Sequence, residues 1–178
     1  FAANLLLPSE RVCADYIVRQ ALVMLAHNVE KLFYHEPLEG PVNNGTPDIE
    51  NPFLNEEAVP KKSYAAMAAL ASVLGPAPKF AGPATFPPGV GGGAALLGYV
   101  FDTGRGSVAA LWAPGQELKL EGTGLAAGVQ AYDAMGNPVT PPLTLGESPV
   151  YLVSTSLPAQ RLAGEWFQQP SGGAKSGG

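Results

Sequence analysis

Cysteine is almost missing from this chain. Cys13 is the only one in 178 residues, so no disulfide can close within it. Val12, Ala14 and Ile17 beside it suggest a small buried hydrophobe rather than a reactive thiol. One thiol does not decide the redox compartment. Histidine is nearly as scarce. His27 and His35 stand eight residues apart with no third ligand at metal spacing, which argues against zinc. Charge is thin as well: 14% of residues are charged and the net charge is −5, with no Lys/Arg cluster to neutralise phosphates. That excludes a nucleic-acid partner. The longest apolar run, residues 21–26, is far below the ~20 residues of a membrane-spanning helix, so no membrane span is expected. Gly89-Val-Gly-Gly-Gly lacks the Lys-Ser/Thr of a phosphate loop, and no Ser-His-Asp arrangement has support. Neither a metal nor a cofactor is expected.

Turn-forming residues are plentiful: 22 Gly and 18 Pro, not arranged as a repeat. Between residues 99 and 153 they punctuate five β-rich segments: Tyr99-Val-Phe-Asp, Ser107-Val-Ala-Ala-Leu-Trp-Ala, Glu117-Leu-Lys-Leu, Val129-Gln-Ala-Tyr-Asp and Pro149-Val-Tyr-Leu-Val. A spacing of about ten residues per segment is that of a β-sandwich or barrel. Asp102-Thr-Gly-Arg-Gly and Asp133-Ala-Met-Gly-Asn read as hairpin turns. In the second segment Val108, Ala110 and Trp112 share one face and Ala109 and Leu111 the other. Both faces are apolar, so Trp112 is expected in a core.

Upstream, residues 9–27 read as a helix with Ser9 as N-cap, Glu10 placed well against the dipole, and Asn28 able to take the left-handed position that ends it. Its second half is apolar nearly all round and needs cover on several sides. Residues 29–35 read as a strand. The long loop 36–60 is rich in Asn, Pro and acidic residues. Residues 61–74 read as a second helix with Tyr64, Met67, Ala68, Ala71 and Leu74 on its buried face, ended by Gly75-Pro76. Residues 76–93 form a Pro/Gly-rich connector with room for an edge strand near Lys79 and Phe80. A helix-strand-helix piece has one strand with nothing of its own to pair it; either the β-sandwich lends a partner or the rest of a sheet lies upstream of Phe1, and the second is expected.

Several of these segments carry a resemblance. Ala21-Leu-Val-Met-Leu-Ala-His-Asn-Val-Glu-Lys-Leu-Phe-Tyr-His resembles the passage from the seventh helix to the eighth strand in (β/α)₈ retaining glycoside hydrolases of the two-glutamate superfamily, family 39-like. Pro60-Lys-Lys-Ser-Tyr-Ala-Ala-Met-Ala-Ala-Leu is similar to the opening of their eighth barrel helix. Segments 99–113, 129–137 and 148–152 are similar to their C-terminal β-sandwich module. The resemblance covers about residues 10–167, and the order of the motifs carries it. It implies that both catalytic glutamates stand on strands preceding Phe1, so no residue of this chain is expected to be catalytic. Two features depart from the family's pattern: Tyr34 or His35 stands where Trp is frequent, and the loop before the last helix is long and acidic.

The candidate substrate-binding residues are Tyr34, His35 and Glu36, at the carboxyl end of the expected strand, where barrel enzymes build their sites. An aromatic face with hydrogen-bonding neighbours suits a sugar; the plainer reading is core packing followed by a solvated loop. Glu36, Glu39, Asp48, Glu50, Glu56 and Glu57 read as a solvated acidic loop, since their spacing fits no calcium loop. Asn44-Gly-Thr46 fits a glycosylation acceptor and equally a turn. Tyr99, Trp112, Tyr132, Tyr151 and Trp166 would form a carbohydrate-binding strip if exposed.

The expected fold class is therefore α+β. An N-terminal helix-strand-helix remnant of a (β/α)₈ barrel (1–75) and a connector (76–93) lead to an antiparallel β-sandwich (94–167) and a flexible tail (168–178). The expected function is that of an accessory module, bacterial and secreted or cell-surface, packed on the missing upstream barrel of a glycosidase. Carbohydrate would be the partner, through the complete protein. The alternative is a carbohydrate-binding or structural surface module without hydrolase activity.

Overall fold

The computed structural model describes residues 9–34, 53–55, 57–86, 95–120, 124–159 and 166–168. Within them lie two helices, α1 (Glu10–Ala26) and α2 (Lys62–Leu74), and ten strands. The strands are β1 (Lys79–Pro83), β2 (Leu97–Asp102), β3 (Ser107–Trp112), β4 (Leu118–Leu120), β5 (Gly124–Leu125), β6 (Val129–Tyr132), β7 (Pro138–Val139), β8 (Leu143–Leu145), β9 (Val150–Ser154) and β10 (Phe167–Gln168). The chain is α+β, with mixed helix and antiparallel sheet.

Helix α1 begins where its sequence says it should. Ser9 sits in extended geometry and its hydroxyl accepts from the Val12 N–H at 3.2 Å, satisfying one of the free donors of the first turn. Asn28, at φ 62°, makes the left-handed exit. Cys13 is half-buried, and burial pushes its thiol pKa up.

Helix α2 ends on Gly75 at φ 72°, as expected, but its inward face is not the expected one. Ser63, Ala66, Ala69, Leu70 and Leu74 are buried. Met67 is half-buried, while Tyr64, Ala68 and Ala71 are exposed. Apart from Lys62 the helix carries no charge. An almost uniformly apolar helix has no polar stripe to set its rotation, so the packing against α1 sets it instead.

Residues 29–34 are not a strand. They keep a strand's alternation, with Leu32 and Tyr34 packed inward and Lys31 and Phe33 exposed, but no neighbouring strand pairs with them among the described residues. A lone extended segment gains no ladder, which is why the apolar pattern did not become a strand.

Six strands form one antiparallel sheet in the order β1-β2-β3-β9-β6-β7. The expected edge strand is β1, which meets β2 through a register shift between Phe80 and Gly82. Position 168, assigned from the sequence to a flexible tail, belongs instead to β10, which pairs with β5. The pairs β4-β8 and β5-β10 are small separate ladders.

The pleat divides the sheet's apolar residues between two clusters. Phe101, Val108, Ala110, Trp112 and Tyr151 join Ile17, Val18, Leu22 and Leu70 of the helices. Val100, Ala109, Leu111 and Leu152 join Leu120, Leu143, Leu145 and Phe167 from the small ladders. All six residues of β3 are buried because both of its faces are covered. The split of Val108, Ala110 and Trp112 from Ala109 and Leu111 is the one read from alternation.

Candidate functional site

Tyr34 lies at the end of the first described segment, against the start of α2. Its ring meets Phe53 edge-on, with centroids 5.0 Å apart and planes at 89°. Phe53 is held by a short turned segment: the Lys61 N–H donates to the Phe53 carbonyl at 2.7 Å, and Leu54 bridges Pro60. The Asn55 side chain closes that turn, accepting from the Val59 N–H at 2.7 Å and donating to Glu57 at 2.7 Å. Tyr34 thus joins the rim of the helix-side core. Its hydroxyl is buried with no hydrogen-bond partner among the described residues, and burial raises its pKa. His35 and Glu36, the other two candidates, lie outside the described residues, as do the Asn44 motif, Gly89-Val-Gly-Gly-Gly and all of the acidic cluster except the exposed Glu57.

The aromatic strip does not form. Trp112 is 2% exposed, Tyr151 0% and Trp166 3%, while Tyr99 and Tyr132 are half-buried. Tyr99 stacks edgewise on Trp112 at 5.5 Å and on Phe80 at 5.8 Å, so these rings face each other and α1 rather than solvent. Two covers bury them: the helices lie over the face that carries Trp112 and Tyr151, and Trp166 packs into the cluster on the opposite side.

Both expected hairpin turns are present and built by their aspartates. Asp102 Oδ1 accepts from the Gly104 N–H at 2.8 Å. Asp133 Oδ1 accepts from the Met135 and Asn137 N–H groups at 2.9 Å, and its Oδ2 accepts from the Asn137 amide at 2.9 Å. Gly104 and Gly136 supply the positive φ, at 71° and 84°.

A second polar group joins α1 to the sheet. Arg11 donates to Ser148 Oγ at 2.7 and 3.1 Å and lies 3.3 Å from Asp15 Oδ1. That oxygen still lacks a hydrogen bond, because the guanidinium N–H points at Ser148 instead. One turn on, Arg19 stacks over the Tyr16 ring at 4.6 Å and pairs with Glu147, which also accepts from the Gly115 N–H at 2.6 Å. The Gly115 N–H and the Arg19 guanidinium hold the Glu147 carboxyl below the usual carboxylate range. These contacts tie loops of the sheet to α1, and nothing in their geometry is poised for proton transfer.

Two depressions mark the surface. One, of about 880 Å³, opens beside Arg11, Glu117, Asp133 and Glu147. The other, of about 590 Å³, lies between α2 and the turns after β2 and β6. The second contains Arg105, which in the sequence stands out only as part of the Asp102-Thr-Gly-Arg-Gly hairpin turn. The available signal was an arginine set between two glycines in a chain with few cations. Among the described residues no three His, Cys, Asp or Glu side chains gather as a metal set, and no helix is long and apolar enough to cross a membrane.

The chain's fold has a known counterpart. It is similar to a family 39 glycoside hydrolase from the gut symbiont Bacteroides cellulosilyticus WH2, with a TM-score of 0.56 and 19% sequence identity. The match covers 82% of this chain and 30% of that protein. At that identity the likeness is one of fold, and the chain spans less than a third of the hydrolase's length. No protein-family model and no curated protein matches the sequence.

Proposed function

We propose that this chain is the C-terminal portion of a glycoside hydrolase-like protein, with its β-layers acting as an accessory module packed beside a catalytic barrel. One observation carries the reading beyond the fold likeness: among the described residues, large apolar side chains of the helical side stay exposed. Phe33 is 88% exposed, on a segment that alternates like a strand but has no strand beside it. Tyr64 on α2 is 50% exposed, and Tyr16 on α1 is 55% exposed with the Arg19 guanidinium over its ring. Exposed large apolar side chains of this kind suit an interface. In the proposed protein, a barrel strand would pair with residues 29–34 and barrel helices would cover α1 and α2.

In this reading the chain supplies no catalytic carboxylate, and both glutamates belong to the barrel. Tyr34, His35 and Glu36 would stand at the sugar-binding end of the last barrel strand. Secretion or display at the cell surface belongs to the same proposal, since polysaccharides lie outside the cell. A free-standing adhesive module, the other reading, needs aromatic rings on an open sheet face, and Trp112 and Tyr151 are under the helices.

The test is the intact mass and N-terminal sequence of the natural protein, with a hydrolysis assay on it. Extra sequence carrying two essential glutamates is the expected result. A natural chain that starts at Phe1 and lacks hydrolase activity would overturn the proposal. In the longer protein Tyr34→Ala is expected to lower kcat/KM; an unchanged value removes Tyr34 from the sugar site.

A further inference from the structure

The 590 Å³ groove has one charged group, Arg105, and no carboxylate in its lining. Of the three arginines among the described residues, Arg11 and Arg19 each face an acid. Arg105 forms no ion pair with the described residues. Its guanidinium lies over Gly75, the residue that ends α2, with Nη2 3.0 Å from where a Cβ would stand there. The negative end of the α2 dipole attracts the cation, and the missing side chain gives it room.

Most hydroxyls around the groove are already committed. Ser107 donates to the Leu157 carbonyl at 2.5 Å, Thr103 donates to the Gly106 carbonyl at 3.1 Å, and Ser154 accepts from the Leu157 N–H at 3.1 Å. Ser72, Thr155 and the donors of Arg105 remain for a ligand. Beside them Ala68, Val73, Met135 and Val153 form an apolar wall. An unneutralised guanidinium selects an oxyanion, which it can grip with two parallel N–H groups. Free hydroxyls next to an apolar wall suit a ring with one polar edge and one apolar face. The volume is that of a small-molecule site, far larger than a bare anion fills.

We propose that this groove binds an anionic saccharide, with its carboxylate or sulfate ester on Arg105, its hydroxyls on Ser72 and Thr155, and its apolar face over Ala68 and Met135. The choice of a saccharide rests on the glycoside hydrolase reading; the choice of an anion rests on Arg105 alone. The site lies between α2 and the turns of the sheet and does not include Tyr34.

The experiment is an NMR titration of the isotope-labelled 178-residue chain with glucuronate, a glucose sulfate ester, glucose and sodium sulfate. Saturable shifts at Ser72, Arg105 and Thr155 are expected with the first two ligands only, and which of them binds tighter identifies the anion. Arg105→Ala is expected to weaken binding about tenfold or more, and Arg105→Lys to recover part of it, because lysine keeps the charge without the planar fork. Ala68→Glu, on an exposed helix position, is expected to abolish it. No saturable shift with either anionic sugar, or equal affinity in Arg105→Ala, would overturn the proposal. So would sodium sulfate binding as tightly as the sugar sulfate, which would make the groove a simple-anion site. Glucose binding as well as glucuronate would overturn the anionic part while leaving a carbohydrate role standing. Failure here does not bear on the hydrolase reading, which the mass and activity of the natural protein decide separately.

Discussion

The β-layers and the helical pair solve the same packing problem to different degrees. On the side of β4, β5, β8 and β10, a mostly aliphatic cluster gathers, with Trp166 and Phe167 as buried rings in it. Leu145 and Leu152 are 0% exposed, and the cluster is closed on both sides. On the helical side the inner face is equally buried, with Val18 and Leu22 at 0%, but the outer face carries Tyr16, Phe33 and Tyr64 in the open. The inner helical core also holds loose polar ends, Asp15 Oδ1 and the Tyr151 hydroxyl, which the opposite cluster largely avoids; Trp166 Nε1 is its one comparable atom. Among the described residues, the helical half leaves more large apolar side chains exposed than the half around the small ladders.

The largest effects are expected in the closed half. Leu152→Ala should lower unfolding free energy by about 2–5 kcal/mol, the usual cost of a buried leucine cavity. Denaturant unfolding reads this directly, and a value under about 1 kcal/mol would mean that the aliphatic cluster is not closed. Gly106→Ala should cost about 1–3 kcal/mol, since φ is 149° and a Cβ there would strike the Ser154 backbone carbonyl. A hairpin that accepts alanine without loss would show that β3 and β9 are looser than their ladder implies.

The helical side should behave differently. Tyr151→Phe removes a buried hydroxyl that has no partner, so stability at neutral pH should hold or rise by up to about 1 kcal/mol. Burial, with Asp15 and Asp133 nearby, raises the Tyr151 pKa. The folded state therefore keeps a proton that the unfolded state releases above about pH 10, and stability falls as pH rises past that point. Tyr151→Phe should flatten that alkaline loss; an unchanged pH curve would remove Tyr151 as its source.

Glu147 works in the opposite direction. Its lowered pKa adds stability above the ordinary carboxylate range, lost as pH falls through the lower folded value. Because its side chain is 51% exposed, Glu147→Gln should cost under about 1 kcal/mol at neutral pH and nothing in strong acid. Thermal melts at both pH values test this.

The smallest effect should come from the bare face. Tyr64→Ser and Phe33→Ser should change the stability of the 178-residue chain by no more than about 0.5 kcal/mol. A cost above 1 kcal/mol would mean the outer helical surface is already in use, and the contrast between the two halves would fail.

Legibility in the sequence followed the strength of local signals. Ser9, Asn28 and Gly75 marked helix ends because capping is decided within a turn of the chain. Asp102 and Asp133 marked turns for the same reason. The five main β segments stood out through turn spacing, while β5, β7, β8 and β10, of two or three residues each, carry too little pattern to be read. Of the candidate site, Tyr34 was visible as an aromatic after an apolar run, but its edge-on contact with Phe53 depends on a turn that comes later in the chain. Arg105 gained a role only when the end of α2 came to lie beneath it.

Alone, the sequence determined the caps, the turns, the alternation of β3 and an α+β class, because each rests on contacts within a few residues. Three things were left to the tertiary structure: the rotation of α2, the burial of Trp112 and Tyr151 beneath helices, and the failure of residues 29–34 to become a strand. An apolar residue specifies that it will be covered and says nothing about by what. Which neighbour covers it is a property of the assembled chain, and for Phe33 and Tyr64 no neighbour among the described residues does so.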